Sequence, residues 1–164
     1  MSELRTNRIV PRDGLPSGTF GGIVQVVQTV KQADQTIDST EADVISATIN
    51  LKHASSKVMI CWSVGMGRGD DDYGYLKLFE GSSEITGASG TSASGNRINA
   101  LASISNRGAG DDRFFVNHLS GTYIHAPSST SPTIKIKGKC TYGSTIHVNG
   151  MAQDDNTLYN IRTA

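Results

Sequence analysis

The sequence predicts an all-β protein built as an antiparallel two-sheet β-sandwich. Three observations carry that expectation. After position 21, apolar residues recur with period two in short runs; clusters of Gly, Ser, Asn and Asp separate the runs; and no segment has the apolar spacing of an amphipathic helix. Strands with one apolar and one polar face need two antiparallel layers packed face to face. With about nine such strands, a Greek-key or jelly-roll closure is expected, with an extended N-terminal arm in front of it.

The arm comes first. Residues 1–21, "MSELRTNRIVPRDGLPSGTFG", show no sustained periodicity, and Pro11 and Pro16 push the chain toward extended conformations. Leu4, Ile9, Val10, Leu15 and Phe20 make the segment more apolar than a solvated tail requires. It is therefore read as a docking arm, with Leu4, Arg5, Arg8, Ile9 and Val10 as its partner-binding residues. Residues 22–164 form the sandwich domain.

The strands follow in order. "GIVQVVQTVK" (22–31) reads as a first strand with Val24, Val26 and Val30 on one face. In "DVISATINL" (43–51), Ile45, Ala47, Ile49 and Leu51 oppose Ser46, Thr48 and Asn50. "KVMICWSVGM" (57–66) is the most apolar, with Val58, Ile60, Trp62, Val64 and Met66 inward. "YGYLKLFEG" (73–81) offers Leu76 and Leu78 to the core, and "GSSEITGASGTSASGN" (81–96) reads as a long exposed loop. "RINALASIS" (97–105) and "RFFVNHLSGTYIHA" (113–126) alternate less regularly. In "TIKIKGKCTY" (133–142), Ile134, Ile136, Cys140 and Tyr142 oppose Lys135, Lys137, Lys139 and Thr141. That lysine row reads as a defended sheet edge. "TYGSTIHV" reads as a hairpin about Gly143-Ser144, and "NTLYNIRTA" (156–164) ends the chain.

Composition narrows the function. The chain has 164 residues, enough for one domain and an arm. Its 15 basic and 15 acidic residues cancel, so no long-range field steers it toward nucleic acid or anionic lipid. There is no apolar run of about 18 residues, so no membrane span is expected, and the N-terminus lacks a signal-peptide core. Cys61 and Cys140 both fall in strands and are expected to stay reduced in a protein assembled in a cytoplasm.

The sharper motifs have plainer readings. "GRGDDDYG" (67–74) carries three consecutive aspartates, but adjacent residues of an extended segment point in alternating directions and rarely share one ion. Asp-Asp pairs recur in "RGAGDDRFF" and "MAQDDNTLY", again before apparent strands, as turn chemistry requires. The Arg68-Gly69-Asp70 triplet is read as chance, and a phosphate cradle would need a helix where a strand follows. No Gly-X-Ser-X-Gly or His-Glu-X-X-His occurs, and His53, His118, His125 and His147 are not at ligand-like spacing. A non-enzyme without cofactor or metal is expected.

"HASSKVMICWSVGMG", "YLKLFEGSSEI", "YIHAPSSTSPTIKIKGKCTYGSTIHVNG" and "NTLYNIRTA" together resemble, in order and spacing, a recurrent module of virion proteins of marine and cyanobacterial tailed bacteriophages. The likeness spans roughly residues 22–164. The Gly/Ser loop at 87–96 and His125, where an acidic residue is more usual, depart from it. The resemblance implies a jelly-roll-like sandwich, commonly trimeric, displayed on capsids or at the ends of tail fibres, with no catalytic residues. The expectation is a homotrimeric capsid decoration, or cement, protein on the virion surface, anchored to the major capsid protein by its arm. The alternatives are a short tail or baseplate fibre contacting tail proteins, for which a chain of this length leaves no shaft, and a lectin-like glycan-binding module.

Overall fold

The structure is a computed structural model that describes residues 25–68, 73–91, 98–105, 116–141 and 145–150. Nine strands follow in chain order: β1 (Gln35–Ile37), β2 (Ala42–Thr48), β3 (Val58–Arg68), β4 (Tyr73–Glu80), β5 (Ser83–Glu84), β6 (Ala102–Ser105), β7 (Val116–His125), β8 (Thr133–Thr141) and β9 (Ile146–Val148). They form two antiparallel sheets. Sheet A has the order β1-β9-β3-β7; sheet B has β2-β8-β4, with β5 and β6 side by side on the far edge of β4. The fold is an all-β sandwich.

Alternation explains why these residues choose these layers. Along β8 the side chains read half-buried and buried in strict turn, with Ile134, Ile136, Gly138 and Cys140 inward and Lys135, Lys137 and Lys139 outward. On β3, Val64 and Met66 are buried while Met59, Cys61 and Ser63 are exposed. Both patterns are those expected from the sequence. The inward side chains of both sheets meet in one cluster: Ile37, Val44, Val64, Met66, Leu76, Leu78, Ile85, Ile104, Ile134, Ile136, Cys140, Ile146 and Val148. Each fully buried Leu, Ile or Met contributes about 1.5–3 kcal/mol relative to exposure.

Five expectations are corrected. In the described part of the expected first strand, residues 25–31 pair with no strand among the described residues, and Val26 and Val30 stand 78% and 62% exposed. High β-propensity needs a neighbouring strand to act on, and none of the described strands lies beside it. Residues 141–146 do not close a hairpin, because β8 lies in sheet B and β9 in sheet A. The lysine-bearing β8 is no edge: β2 flanks it on one side and β4 on the other. The start of the long polar loop folds back, with a two-residue turn at Gly81 (φ +61°) into β5, a 3-10 turn at Thr86–Ala88, and Ile85 buried. A Gly at the first turn position suits that left-handed backbone. On β2, a register shift between Asp43 and Ile45 also turns Val44 inward, which strict alternation from Ile45 did not foresee.

The chain changes sheet between β1 and β2, β2 and β3, β3 and β4, and again from β6 onward at every connection. The segment 69–72 of the aspartate-rich stretch therefore joins strands in opposite sheets. The Asp clusters at 70–72, 111–112 and 154–155, the N-terminal arm and the 156–164 strand lie outside the described residues. Cys61 is exposed and Cys140 is buried.

Two glycines set how closely the layers approach. A Cβ at Gly138 would lie 2.9 Å from Ile37 Cδ1 and 3.3 Å from Val44 Cγ2, and one at Gly74 would collide with Ile146 Cγ2. Gly138→Val and Gly74→Val should each destabilise the fold by about 1–3 kcal/mol, and Leu76→Ala by about 2–5 kcal/mol, measured by chemical denaturation. Wild-type stability in both glycine variants would contradict the packing.

Candidate functional site

The expected partner-binding residues Leu4, Arg5, Arg8, Ile9 and Val10 lie outside the described residues. Function must therefore be sought on the two outer faces of the sandwich and at its polar clusters.

The outer face of sheet B is electrostatically saturated. Lys135 Nζ lies 2.6 Å from Asp43 Oδ2, Lys137 Nζ 3.1 Å from Glu41 Oε1, and Lys77 Nζ 2.7 Å from Glu84 Oε2. Lys77 and Lys137 stand directly opposite each other across β4 and β8, a repulsive pairing that the two glutamates offset. The Lys137 ammonium also sits 4.3 Å from the ring centroid of Phe79, which is buried on this face. Burial raises the Tyr75 phenol above its ordinary pKa, against the lowering pull of Lys77. The lysine row is thus mostly occupied within the chain. Exposed pairs of this kind contribute about 0–1 kcal/mol each, so their effect is to keep the face polar and wet.

The outer face of sheet A is the opposite. From Met59 to Gly67 and from Val116 to His125 there is no Asp, Glu, Lys or Arg. Met59 pairs with Ile124, Cys61 with Thr122 and Ser63 with Ser120; Met59 and Ile124 are 55% and 60% exposed. Among the described residues β7 pairs only with β3, which leaves one edge of a ten-residue strand open. The open edge of β2 differs: it carries the irregularity at Asp43/Ile45 and has Glu41 and Asp43 beside it. Charge and bulges are the usual guards of a sheet edge, and β7 has neither.

One cluster has the residue types of a catalyst. His125 Nε2 donates to Glu80 Oε2 at 2.8 Å, and Ser128 donates to Glu80 Oε1 through its Oγ at 2.8 Å and its backbone N–H at 3.0 Å. The carboxylate stands between the other two. A nucleophilic serine needs a base on its own hydroxyl, and here that hydroxyl is donated to the carboxylate. The arrangement ties the turn after β7 to the end of β4. Burial raises the Glu80 pKa, but the hydrogen bonds from His125 and Ser128 outweigh it and hold the carboxyl below its ordinary 4.5. This contact could not be read from sequence, since its members lie 45 and 48 positions apart.

His147, half-buried on β9, has Nδ1 3.4 Å from Thr36 Oγ1 and Nε2 3.2 Å from Thr145 Oγ1. Burial lowers its pKa below 6.5, with Asp34 acting in the opposite sense. A concavity beside 98–103 is lined by Gly90, Thr91, Ile98, Asn99, Leu101 and Ser103, none of them ionisable. Among the described residues no three His, Cys, Asp or Glu side chains gather as a metal site, and no helix is long and apolar enough to cross a membrane.

Comparison of the chain with protein-family models, with curated proteins and with solved structures found no match. The geometry of the surfaces is what speaks to function.

Two acid-labile steps follow. The folded state prefers neutral His147, so its contribution is full above pH 6.5 and declines as pH falls toward the lowered folded value. Glu80 contributes fully above pH 4.5 and loses its contribution as pH falls through its lowered folded value. Denaturation curves at a series of pH values should show both declines. His147→Gln should remove the first and Glu80→Gln the second, the latter costing about 1–3 kcal/mol at neutral pH. Unchanged profiles in the two variants would refute the assignments.

Proposed function

We propose that the protein is a structural component of a tailed-bacteriophage virion: a homotrimeric capsid decoration, or cement, protein anchored to the major capsid protein by its N-terminal arm. The observation that carries this reading is the asymmetry of the two outer faces. One is sealed by internal ion pairs and suits water; the other has no Asp, Glu, Lys or Arg from Met59 to Gly67 or from Val116 to His125, bears exposed apolar side chains and, among the described residues, ends in an unguarded strand. Surfaces of the second kind mark protein contacts.

Strand order supports the same reading. The first strand neighbours the last, the third lies between the last and the seventh, and the second and fourth flank the eighth. That winding supports a jelly-roll closure, the architecture implied by the resemblance to phage virion modules. In this reading the arm docks through Leu4, Arg5, Arg8, Ile9 and Val10. Ordering an extended segment costs about 1–2 kcal/mol per residue, which apolar burial and main-chain hydrogen bonds must exceed.

Deleting residues 2–12 should leave a folded oligomer that no longer co-sediments with phage particles, while the intact protein does. Full binding by the truncated protein would contradict arm docking. Labelling of bound protein by electron microscopy should place it on the icosahedral shell; a position on the tail would favour the fibre role.

A further inference from the structure

We infer that residues Gln25–Val30 of one copy add as a strand to the free edge of β7 in a second copy, joining neighbouring chains through a continued sheet A. The inference rests on the reading of a self-assembling virion protein and names the surfaces that assemble it.

Two unpaired features make the fit. The first is the donor. "QVVQTV" (25–30) is rich in Val and Thr, which favour strands, yet it pairs with nothing among the described residues. Val26, Val27 and Val30 are 78%, 40% and 62% exposed. Among the described residues the chain is first anchored at Lys31, whose carbonyl accepts from Asn149 Nδ2 at 2.7 Å and whose ammonium donates to the Val44 carbonyl at 3.1 Å and to Gln35 Oε1. The second is the acceptor, the open and uncharged edge of β7.

Geometry excludes the segment's own β7. The donor leads into β1, at one end of the order β1-β9-β3-β7, and the acceptor lies at the other. Three inter-strand steps of about 4.8 Å separate them, roughly 14 Å. Six extended residues reach about 20 Å. Crossing the sheet would use most of that length and leave too little to run alongside β7. A second copy faces no such limit: its segment leaves the β1 edge and meets the β7 edge of its neighbour.

Chemistry agrees with a like partner. Donor and acceptor carry no formal charge between Gln25 and Val30 or between Val116 and His125, so a ring of identical copies meets no like-charge repulsion at this contact. Val26 and Val30, four residues apart, share a strand face. Laid on the outer side, they extend the exposed Met59–Ile124 pair. Donor and acceptor are different surfaces, so the contact is head-to-tail and ends in a closed ring when the rotation allows.

The test uses full-length chains in a Cys61→Ser background, since Cys140 is fully buried and silent. One copy carries Val26→Cys and a second, differently tagged, carries Ile124→Cys; the two are co-expressed and treated with a short bismaleimide. Cross-linked pairs of unlike tags should exceed like-tag pairs at least ten-fold. In parallel, Val26→Lys/Val30→Lys, which alters only exposed side chains, should lower the light-scattering mass from an oligomer to one chain while the β-sheet circular dichroism is kept. Cross-links confined to one chain in a Val26→Cys/Ile124→Cys double variant would overturn the inference, as would an unchanged mass in the lysine variant. So would an intrachain link from Leu158→Cys to Ile124→Cys, which would give the edge another occupant. The virion reading is scored separately by co-sedimentation of the 2–12 deletion, which spares this segment. Particle binding by an oligomer whose mass ignores Val26→Lys/Val30→Lys removes the strand donation and leaves that reading intact.

Discussion

The shared interior of the two sheets is the constraint from which the rest follows. A thirteen-residue apolar cluster draws on β1, β3 and β9 from one layer and β2, β4, β6 and β8 from the other. Because the strands alternate between layers along the chain, neither sheet could hold its apolar face dry alone. Gly74 and Gly138 let Ile146 and Ile37 reach across where any side chain would hold the layers apart. Backbone bonds also cross, as in Cys140 N–H to the Asp38 carbonyl at 2.9 Å, which ties β8 to the residue after β1. The core therefore fixes which residues are left outside, and every functional argument concerns those.

What is left outside differs between the layers. Sheet B meets water with lysines neutralised by Glu41, Asp43 and Glu84, each pair placed by strand register. Such a face gains little from a partner, because burying the pairs would cost their hydration. Sheet A presents Met59, Cys61, Ser63, Thr122 and Ile124, whose desolvation is cheap and whose apolar atoms gain from cover. The same sandwich thus carries one face suited to solvent and one suited to contact. His147 and the Glu80–His125–Ser128 contact belong to the frame rather than to either face's chemistry; they hold β9 and the turn after β7 in place.

Period-two patterning made β3, β4 and β8 legible because each buries one face and wets the other, so the alternation is written residue by residue. It says nothing about which strand lies beside which. The lysines of β8 looked like an edge because charge guards edges, but they serve equally on the wet side of a central strand when carboxylates stand nearby. Residues 142–145 looked like a hairpin because turn chemistry is local, whereas a change of sheet is decided by the core. The segment 25–31 looked like a strand because valine favours extended backbone, and a strand still needs a neighbour. The contact surface was hidden for a different reason. Its signal is the absence of Asp, Glu, Lys and Arg from Met59 to Gly67 of β3 and along β7, which becomes a surface only once Met59 is known to face Ile124.

The valine segment and the β7 edge are each a liability taken alone. An exposed strand-former invites aggregation, and a ten-residue edge without charge or bulge offers it a template. Within one molecule these features sit at opposite ends of the same sheet, too far apart to satisfy each other. Guarding β7 would need only one or two charged residues on a surface where no core contact would be disturbed, and sheet B shows that this chain can place charge by register. The unguarded edge and the unpaired donor therefore make physical sense together under the inferred strand donation: each would complete the other between copies, and among the described residues neither is completed within one.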